Sequence, residues 1–408
     1  MSHPWANWSG SVMSAPRTVA TPTTEADLVS IVQAAKRTNR SIRVVGTGHS
    51  FVPLCATDDL LISLDGLQGL IAVDQGSHTA TLWAGTKLHA VGEPLWEHGL
   101  AMANMGDIDR QSLGGAIGTG THGTGPTLGN ISTQVVGLRL LTATGELITC
   151  STTEEPAIFT AAQVSLGALG IVTQVTLRCL PAYELHERTW VADFAKCMAA
   201  LDDHIAATRH FEFFWVPGED VCAMKALHPV ETHTTPPPST PLLHLPEGRL
   251  ARYVRAPQTD RSYRIFPSER NLKFNETEFA LPAATGPDCL REVRQLMQTR
   301  YRDVAWPIEY RTLAADDIPL SPAHGRKTVT ISVHQAADLP YQPFFADVEA
   351  IFRNHQGRPH WGKLHTHRAR NLAALYPAWN TFQAVRAQLD PEGSMLNSHL
   401  QELLLPAD

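Results

Sequence analysis

The stretch Arg43-Val44-Val45-Gly46-Thr47-Gly48-His49-Ser50-Phe51 joins a short β-branched strand to a glycine-rich turn that carries a histidine. Glycines in such a turn let backbone N–H groups approach a phosphate closely. We therefore interpret the stretch as a loop that cradles a phosphate-bearing cofactor and holds His49 beside it. An ordinary tight turn with a surface histidine is the alternative, because short glycine motifs also occur by chance.

The size and composition of the chain restrict its function. Its 408 residues are enough for about two or three domains, and a hydrophobic content of 43% excludes a disordered chain. The net charge is −7 and no run of lysine and arginine is present, which argues against a nucleic-acid partner. No apolar run approaches the roughly 18 residues that a membrane span needs.

Cysteine and histidine spacing gives no sign of a metal. The six cysteines are scattered without a C-x-x-C pair, and the 19 histidines show no H-E-x-x-H spacing, so we predict that no metal is bound. Unpaired thiols are typical of a reducing compartment. Residues 1–10 lack the charged start and apolar run of a secretion signal, and we expect a cytoplasmic protein.

The elements around the opening loop predict a β-α-β unit. An edge strand ends at Pro22, Thr23 or Thr24 caps a helix, and the strand 42–45 leads into the loop. Ligands of such units commonly bind at the carboxyl ends of the strands. The same patterns predict strands at 60–65, 71–73, 79–83, 133–142 and 171–177, a helix at 87–98, and a helix that begins with residues 158–162.

A second glycine-rich stretch covers residues 106–125 and reads GDIDRQSLGGAIGTGTHGTG. Because glycine at this density disfavours regular helices and strands, we expect irregular backbone throughout. A flexible linker is the alternative. Ile108, Leu113 and Ile117 can anchor the stretch in a core, and long irregular segments inside domains are usually functional, so we favour a functional loop.

The second half of the chain differs from the first in its predicted secondary structure. Longer strands at 211–216 and 328–333 and an amphipathic helix near 289–301 indicate a second α+β domain. A segment rich in proline and threonine at 232–246 predicts an exposed loop. The predicted organisation is therefore a first domain at 1–182, a second at 183–355, and a closing segment at 356–408 that returns to the first.

Candidate catalytic groups follow from local spacing. Glu309 and Arg311 are two residues apart, so they share a face if they lie on a strand. A carboxylate can accept a hydrogen bond from a sugar hydroxyl, and a guanidinium offers fixed donors to an oxyanion. A surface ion pair is the alternative. Lys363 can exchange protons if it is buried; a solvated lysine is the alternative there.

Five motifs together are more specific than any one of them. They are Trp5-Ala6-Asn7-Trp8-Ser9-Gly10, Gly46-Thr47-Gly48-His49-Ser50, Gly118-Thr119-Gly120-Thr121-His122-Gly123, Pro307-Ile308-Glu309-Tyr310-Arg311 and His360-Trp361-Gly362-Lys363. In this order they resemble the aldonolactone and alditol oxidase family, which is similar to vanillyl-alcohol oxidase. The resemblance covers nearly the whole chain. It implies a two-domain α+β flavoprotein, with an FAD-binding domain and a cap or substrate domain.

The resemblance also implies roles for individual residues. It places His49 where covalent members bond a histidine to the flavin. It implies FAD contacts from Val44, Val45, Gly46, Thr47, Gly48, Ser50, Gly106, Asp107, Ser112, Gly115, Thr119, Gly120, Thr121, His122, Val172 and His360. It implies substrate contacts from His334, Ser332 and Asp107. We expect Glu309 to position the substrate or accept a proton, Arg311 to stabilise charge, and Lys363 to lie beside the substrate.

The expected reaction is FAD-dependent oxidation of a sugar-1,4-lactone of the L-gulono, L-galactono or D-arabinono class. The hydroxyl-bearing carbon gives a hydride to flavin N5, and O2 is reduced to H2O2. Ser332 and His334 differ from the pair typical of alditol-specific members, which favours a lactone, and the small Gly106 can leave a path for O2. The alternatives are an alditol oxidase, a lactone dehydrogenase with another electron acceptor, and a binding protein without redox chemistry.

Overall fold

The computed structural model describes residues 3–230, 252–268 and 272–406. The exposed loop predicted at 232–246 lies outside the described residues. Within the described ranges, no helix combines the length and the apolar character needed to cross a membrane.

The opening loop follows a strand of a small parallel sheet. In this sheet the strand Leu60–Ser63 pairs in parallel with both Thr18–Ala20 and Ile42–Val45. The helix Glu25–Arg37 connects Thr18–Ala20 to Ile42–Val45. At its start, the hydroxyl of Thr24 accepts a hydrogen bond from the Asp27 N–H. Such an N-cap satisfies a backbone donor that the first helical turn leaves free. The predicted β-α-β unit is therefore confirmed, with the loop at the carboxyl end of a strand.

A five-stranded antiparallel sheet completes the first half. Its order is Leu147–Ser151, Val135–Leu141, Ile171–Arg178, Thr79–Trp83 and Leu70–Asp74. The predicted helix at 87–98 is divided into a 3-10 turn at Leu88–Ala90 and a helix at Gly92–Glu97. Pro94 has no N–H to donate to the carbonyl four residues earlier, and it is tolerated in the first turn of a helix, so the chain begins a new helix at Gly92 instead of continuing one from residue 87.

The glycine-rich stretch contains regular structure that we did not expect. Residues Leu113–Gly118 form a short α-helix, so the prediction of irregular backbone throughout 106–125 is wrong. Leu113, Ala116 and Ile117 are fully buried on this helix. Packing of these side chains outweighs the low helix propensity of the neighbouring glycines, which illustrates how tertiary contacts override propensity.

The second half is built on an eight-stranded antiparallel sheet. Its order is Gln258–Arg261, Glu184–Asp193, Val221–Pro229, His210–Val216, Ile308–Leu313, Thr328–Ala336, Phe274–Pro282 and Arg358–Pro359. The predicted strands at 211–216 and 328–333 are confirmed within it. Helices Gly286–Arg300 and Gln342–Asn354 pack on one face, where Phe213, Tyr310 and Ile331 are buried.

The two faces of this sheet differ in chemistry because side chains alternate along each strand. On His210–Val216, Phe213 belongs to the apolar core, whereas Glu212 points to the other face. Tyr310 and Arg311 divide in the same way on the next strand. The face away from the helices therefore carries charged groups, and the candidate site forms against it.

The remaining elements are short or lie near the ends of the chain. They are the paired strands Trp5–Ala6 with Met13–Ser14 and Leu100–Ala101 with Leu180–Pro181, the helices Pro156–Ala162, Phe194–Ala199, Leu201–Ala207, Ser262–Ile265, Ala369–Leu375, Trp379–Leu389 and Ser398–Leu404, and the 3-10 turns Ile131–Gln134 and Ala283–Thr285. The last three α-helices contribute Leu372, Phe382 and Leu400 to the hydrophobic core of the first half. The domain boundaries after residues 182 and 355 stay a prediction.

Arg43 ties the opening loop to distant parts of the chain. This buried side chain donates hydrogen bonds to the carbonyls of Leu54 (2.8 Å), Leu166 (3.1 Å) and Met395. Burial lowers the pKa of Arg43 from its ordinary value. Beyond it, the N–H of Phe51 donates to the carbonyl of Gly362 at 2.7 Å. Late segments of the chain thus hold the loop that carries His49.

Candidate active site

The opening loop and the short helix after Ser112 enclose a cleft walled largely by backbone. A Cβ added at Gly46 would lie 1.8 Å from Ser112 Oγ and 2.8 Å from Ser112 Cβ, and Gly48 has a φ of +66°. The lining includes ten of the predicted cofactor residues: Val44, Gly46, Thr47, Gly48, His49, Ser50, Ser112, Gly115, Thr119 and Val172. A cleft of this kind fits an extended, phosphate-bearing cofactor such as FAD.

Sequence reasoning missed part of the wall. Gly114, Gly118, Gly167 and Gly170 also line the cleft. Gly167 and Gly170 have positive φ angles, and their signal was the run Ser165-Leu166-Gly167-Ala168-Leu169-Gly170 before a strand. Two predicted cofactor residues, Val45 and Gly120, line neither this cleft nor the cavity beside it on the charged face of the eight-stranded sheet.

His49 is one of the residues that line this cleft. Burial, with smaller effects from Lys363 and Lys87, lowers the pKa of His49 to about 4. The ring is therefore neutral near pH 7, and one of its nitrogens carries a free lone pair. A neutral imidazole is the form that can act as a nucleophile.

A second cavity, of about 510 Å³, opens on the charged face of the eight-stranded sheet. Gln111 lines both this cavity and the cleft, so the two adjoin. The predicted residues that line the second cavity are Gly106, Asp107, Thr121, His122, Glu309, Arg311, His334, His360 and Lys363. Ser332 is buried in register between Glu309 and Glu278 and is not part of the lining.

Arg311 lies at the centre of a buried charge network. Its Nη2 is 2.7 Å from Glu309 and 3.1 Å from Asp107, and its Nε is 2.7 Å from Glu212. Lys225 lies 2.9 Å from Glu212 and 3.4 Å from Asp107. Burial alone would lower the pKa of Arg311, but the three carboxylates raise it well above its ordinary value. Arg311 is therefore a fixed positive charge in the wall of the cavity.

Glu212 and Lys225 are site residues that the sequence reasoning missed. Each is a single charged residue in an otherwise apolar strand, and such a residue is itself a signal, because a buried charge needs a partner. Carboxylate oxygens of Asp107, Glu212 and Glu309 lie within 4.8 Å of one another, and Arg311 forms an ion pair with all three. The expectation that no metal is bound stays a prediction.

A second group of charges lies on the strand Phe274–Pro282, which the strand Thr328–Ala336 separates from Ile308–Leu313. Glu276 forms an ion pair with Lys363 and lies 3.5 Å from His334 Nε2, whereas Glu278 lies 2.5 Å from His122 Nε2. Burial opposes ionisation of Glu276, but Lys363 and His334 lower its pKa to about 2. Both glutamates were missed, although two carboxylates at a spacing of two within a strand place both on one face.

Gly106, at the start of the second glycine-rich stretch, lies close to Thr121 and His122 near the end of the same stretch. A Cβ at this position would lie 2.9 Å from the carbonyl oxygen of His122 and 3.7 Å from Thr121 Cγ2. The glycine therefore serves the contact between two backbone segments. The space that a side chain would take is already filled, and the geometry gives no specific support to an O2 path there.

Comparisons with known proteins agree with this architecture. The family model for D-arabinono-1,4-lactone oxidase matches residues 175–256 and 247–403, and the model for an FAD binding domain matches residues 16–151. An L-gulono-1,4-lactone dehydrogenase of Mycobacterium tuberculosis (strain ATCC 25618 / H37Rv) is 38% identical over 100% of both chains. An L-gulonolactone oxidase of Scyliorhinus torazame is 30% identical over 98% of each chain.

The solved structures show the fold. A cholesterol oxidase from B. sterolicum superposes with a TM-score of 0.85 and 19% identity, covering 100% of this chain and 97% of the other. The predicted α+β flavoprotein fold with an FAD-binding domain and a second domain is therefore confirmed. The family that the motifs resembled is confirmed as well. The chain belongs to the aldonolactone oxidase family of FAD-dependent oxidoreductases.

Proposed function

We propose that this protein oxidises a sugar-1,4-lactone at a hydroxyl-bearing carbon. One observation carries the proposal: the glycine-walled cleft that His49 lines adjoins, at Gln111, a polar cavity that holds Glu309, Arg311 and Lys363. FAD bound in the cleft supplies an acceptor for two electrons. The cavity supplies the groups that bind and orient a small polyhydroxylated ring beside it.

The residues of the cavity divide this work. Glu309 accepts hydrogen bonds from sugar hydroxyls, and Arg311 stabilises negative charge that develops during oxidation. Asp107 and Glu212 fix the guanidinium in place, and a preorganised charge costs little rearrangement during the reaction. Lys363 adds a second positive charge on the side of Glu276. Ser332 acts indirectly, from its position in register between Glu309 and Glu278.

Three further assignments belong to the same proposal. His49 forms a covalent bond to the flavin, which its neutral imidazole supports. O2 accepts the electrons and is released as H2O2, as the name of the L-gulonolactone oxidase relative suggests, whereas the other relative is named as a dehydrogenase. The protein works in the reducing cytoplasm, for which its six cysteines without a disulfide provide the support.

Anaerobic reduction of the bound flavin tests the substrate class. L-gulono-, L-galactono- and D-arabinono-1,4-lactone should bleach the blue absorbance of the flavin, and xylitol and sorbitol should do so more slowly. Faster bleaching by the polyols would favour the alditol alternative. A protein without flavin absorbance, or a flavin that no lactone bleaches, would overturn the proposal.

Admitting air to the reduced protein then identifies the electron acceptor. An oxidase regains its yellow colour and releases one H2O2 for each flavin. A flavin that stays reduced in air identifies a dehydrogenase that uses another acceptor.

Acid precipitation tests the covalent bond. The flavin should remain in the pellet of the native protein and should move to the supernatant in His49→Ala. Free flavin from the native protein would contradict the covalent assignment without affecting the proposed reaction.

A further inference from the structure

Removing two electrons from an alcohol carbon also frees the proton of its hydroxyl, which needs an acceptor. Glu309 forms an ion pair with Arg311, and Lys363 does so with Glu276, so these groups are engaged in charge pairs. Three histidines also line the cavity, namely His122, His334 and His360. Their hydrogen bonds determine which ring nitrogen carries a proton in each case.

His122 contacts an acceptor at each of its ring nitrogens. Its Nδ1 is 2.9 Å from the carbonyl oxygen of Gly123, and its Nε2 is 2.5 Å from Glu278 Oε1. Burial opposes ionisation of Glu278, but His122, with help from His360 and Lys363, holds its pKa well below the ordinary value. Both ring nitrogens of His122 are therefore engaged with acceptors of the protein itself.

His360 also presents a proton to the cavity. Its Nδ1 accepts a hydrogen bond from the N–H of Gly362 at 3.0 Å, which leaves the ring proton on Nε2. Burial is the main reason that the pKa of His360 falls to about 4. The ring is therefore neutral near pH 7 and acts as a donor.

His334 has the opposite arrangement. Its Nδ1 is 2.9 Å from the carbonyl oxygen of Pro307, which can only accept, so Nδ1 carries the ring proton. Nε2 is then the nitrogen with the lone pair. The ring is held edge-on against Phe274, with centroids 5.3 Å apart, and beside Trp306 at 6.4 Å.

We infer that His334 is the base that takes the hydroxyl proton of the substrate, an inference that rests on the proposed function. Glu276 Oε1 lies 3.5 Å from Nε2, which is too long for a good hydrogen bond but short enough to stabilise an imidazolium once it forms. His334 thereby acts as a catalytic residue, and Glu309 keeps the positioning role.

The oxidation breaks two bonds of the substrate. The O–H bond breaks and its proton goes to His334 Nε2. The C–H bond breaks, its hydrogen leaves with the bonding electron pair, which FAD bound in the cleft would accept, and the carbon–oxygen single bond becomes a carbonyl. The substrate is oxidised by two electrons and FAD is reduced by two.

The charged groups around His334 come from three elements that line the same cavity. They are Glu276 on Phe274–Pro282, Glu309 on Ile308–Leu313, and Lys363 in the segment after Arg358–Pro359. Glu276 pairs with both Lys363 and His334. A change at His334 therefore removes a proton acceptor while leaving the Arg311 network in place.

The test is the rate of anaerobic flavin reduction by a lactone across pH 6 to 9 in His334→Gln, with Glu309→Gln for comparison. Glutamine can still donate to the Pro307 carbonyl but cannot take the proton. In His334→Gln we expect the rate of flavin reduction at pH 7 to fall by about 10²–10⁴-fold, with little change in the lactone concentration that gives half of the maximal rate. The acid limb of the pH profile should be lost. Added imidazole should restore part of the rate. Glu309→Gln should retain the acid limb.

A rate in His334→Gln within tenfold of the native rate, or an acid limb that persists, would overturn the inference. If that variant does not retain flavin, the rate of flavin reduction in His334→Asn, measured with and without imidazole, tests the inference instead. Failure of the proposed function is distinguishable, because it appears in the native protein as a flavin that no lactone bleaches.

Discussion

The indole of Trp8 stacks on the imidazole of His49, with ring centroids 5.5 Å apart and planes inclined by 23°. The backbone reinforces this contact, since the N–H of Trp8 donates to the carbonyl of Gly48 at 2.7 Å. Asn7 Nδ2 also donates to the carbonyl of Ser50 at 3.0 Å. The segment around Trp8 therefore holds both the loop and the ring that we propose to bond to flavin.

Replacing Trp8 by leucine should slow covalent attachment of the flavin. An aromatic pair contributes about 0.5–1.5 kcal/mol beyond its buried area, which corresponds to a loss of roughly twofold to tenfold in attachment rate. The measurement is the fraction of flavin kept in the acid pellet over time after FAD is added to apoprotein. Trp8→Phe, which keeps an aromatic face, should behave nearly as the native protein. Equal rates for the leucine and native proteins would refute this role.

Replacing Arg43 by methionine should destabilise the whole protein. The change leaves the carbonyls of Leu54, Leu166 and Met395 without their buried donor, and a loss of about 3 kcal/mol in the free energy of unfolding follows from such unpaired groups. Urea unfolding followed by tryptophan fluorescence measures it. Arg40→Met is the matched control, because Arg40 forms a partly exposed ion pair with Asp59 and should cost less than about 1 kcal/mol.

Replacing Gly46 by alanine should reduce the flavin content of the purified protein at least tenfold. The added Cβ would collide with the Cβ of Ser112 as well as with its hydroxyl, so rotating the serine does not relieve the clash. The double variant Gly46→Ala with Ser112→Gly should recover part of the loss, as measured by the ratio of flavin to protein absorbance. Gly76→Ala, in an exposed turn, should have no effect. A full flavin content in Gly46→Ala alone would show that the loop does not form this wall.

Stability should fall as the pH drops from about 6.5 to 4. Burial is the main cause that lowers the pKa of His49, His360, His367 and His399 to about 4 and that of His210 to about 3. Because these rings stay neutral in the fold, the unfolded chain takes up protons first as the solution becomes acidic. The contribution of these neutral histidines to stability is complete above pH 6.5, and it is lost as the pH falls towards their pKa values in the folded protein.

Urea midpoints at pH 7.5, 6, 5 and 4 measure this dependence. His210→Gln should weaken it, because glutamine does not titrate and can still donate to the carbonyl of Thr124, which accepts from His210 Nδ1 at 3.0 Å. A midpoint that stays constant down to pH 4.5 would contradict the assignment of neutral buried histidines.

Features set by near neighbours in sequence could be predicted. The N-cap at Thr24 depends on a hydrogen bond to Asp27, and the shared face of Glu309 and Arg311 depends only on the period of a strand. The glycine loop before His49 could be recognised for the same reason, since its geometry is encoded in consecutive residues.

Features that are set by tertiary contacts could not be predicted from the sequence. Glu212 meets Arg311 because His210–Val216 lies beside Ile308–Leu313 in the sheet, with those two residues in register. The tautomer of His334 depends on the carbonyl of Pro307, 27 residues away. The helix Leu113–Gly118 forms against the local propensity of its glycines because its apolar side chains are buried.

The ties between the opening loop and the late segments affect when the protein can acquire its colour during synthesis. The carbonyls of Gly362, Ser394 and Met395 bond to Phe51, Ile42 and Arg43. A nascent chain still on the ribosome has made the loop long before it has made these partners. The loop therefore reaches its final shape only after translation has passed residue 395, so flavin loading is a late event, and a chain cut short before that point should be colourless.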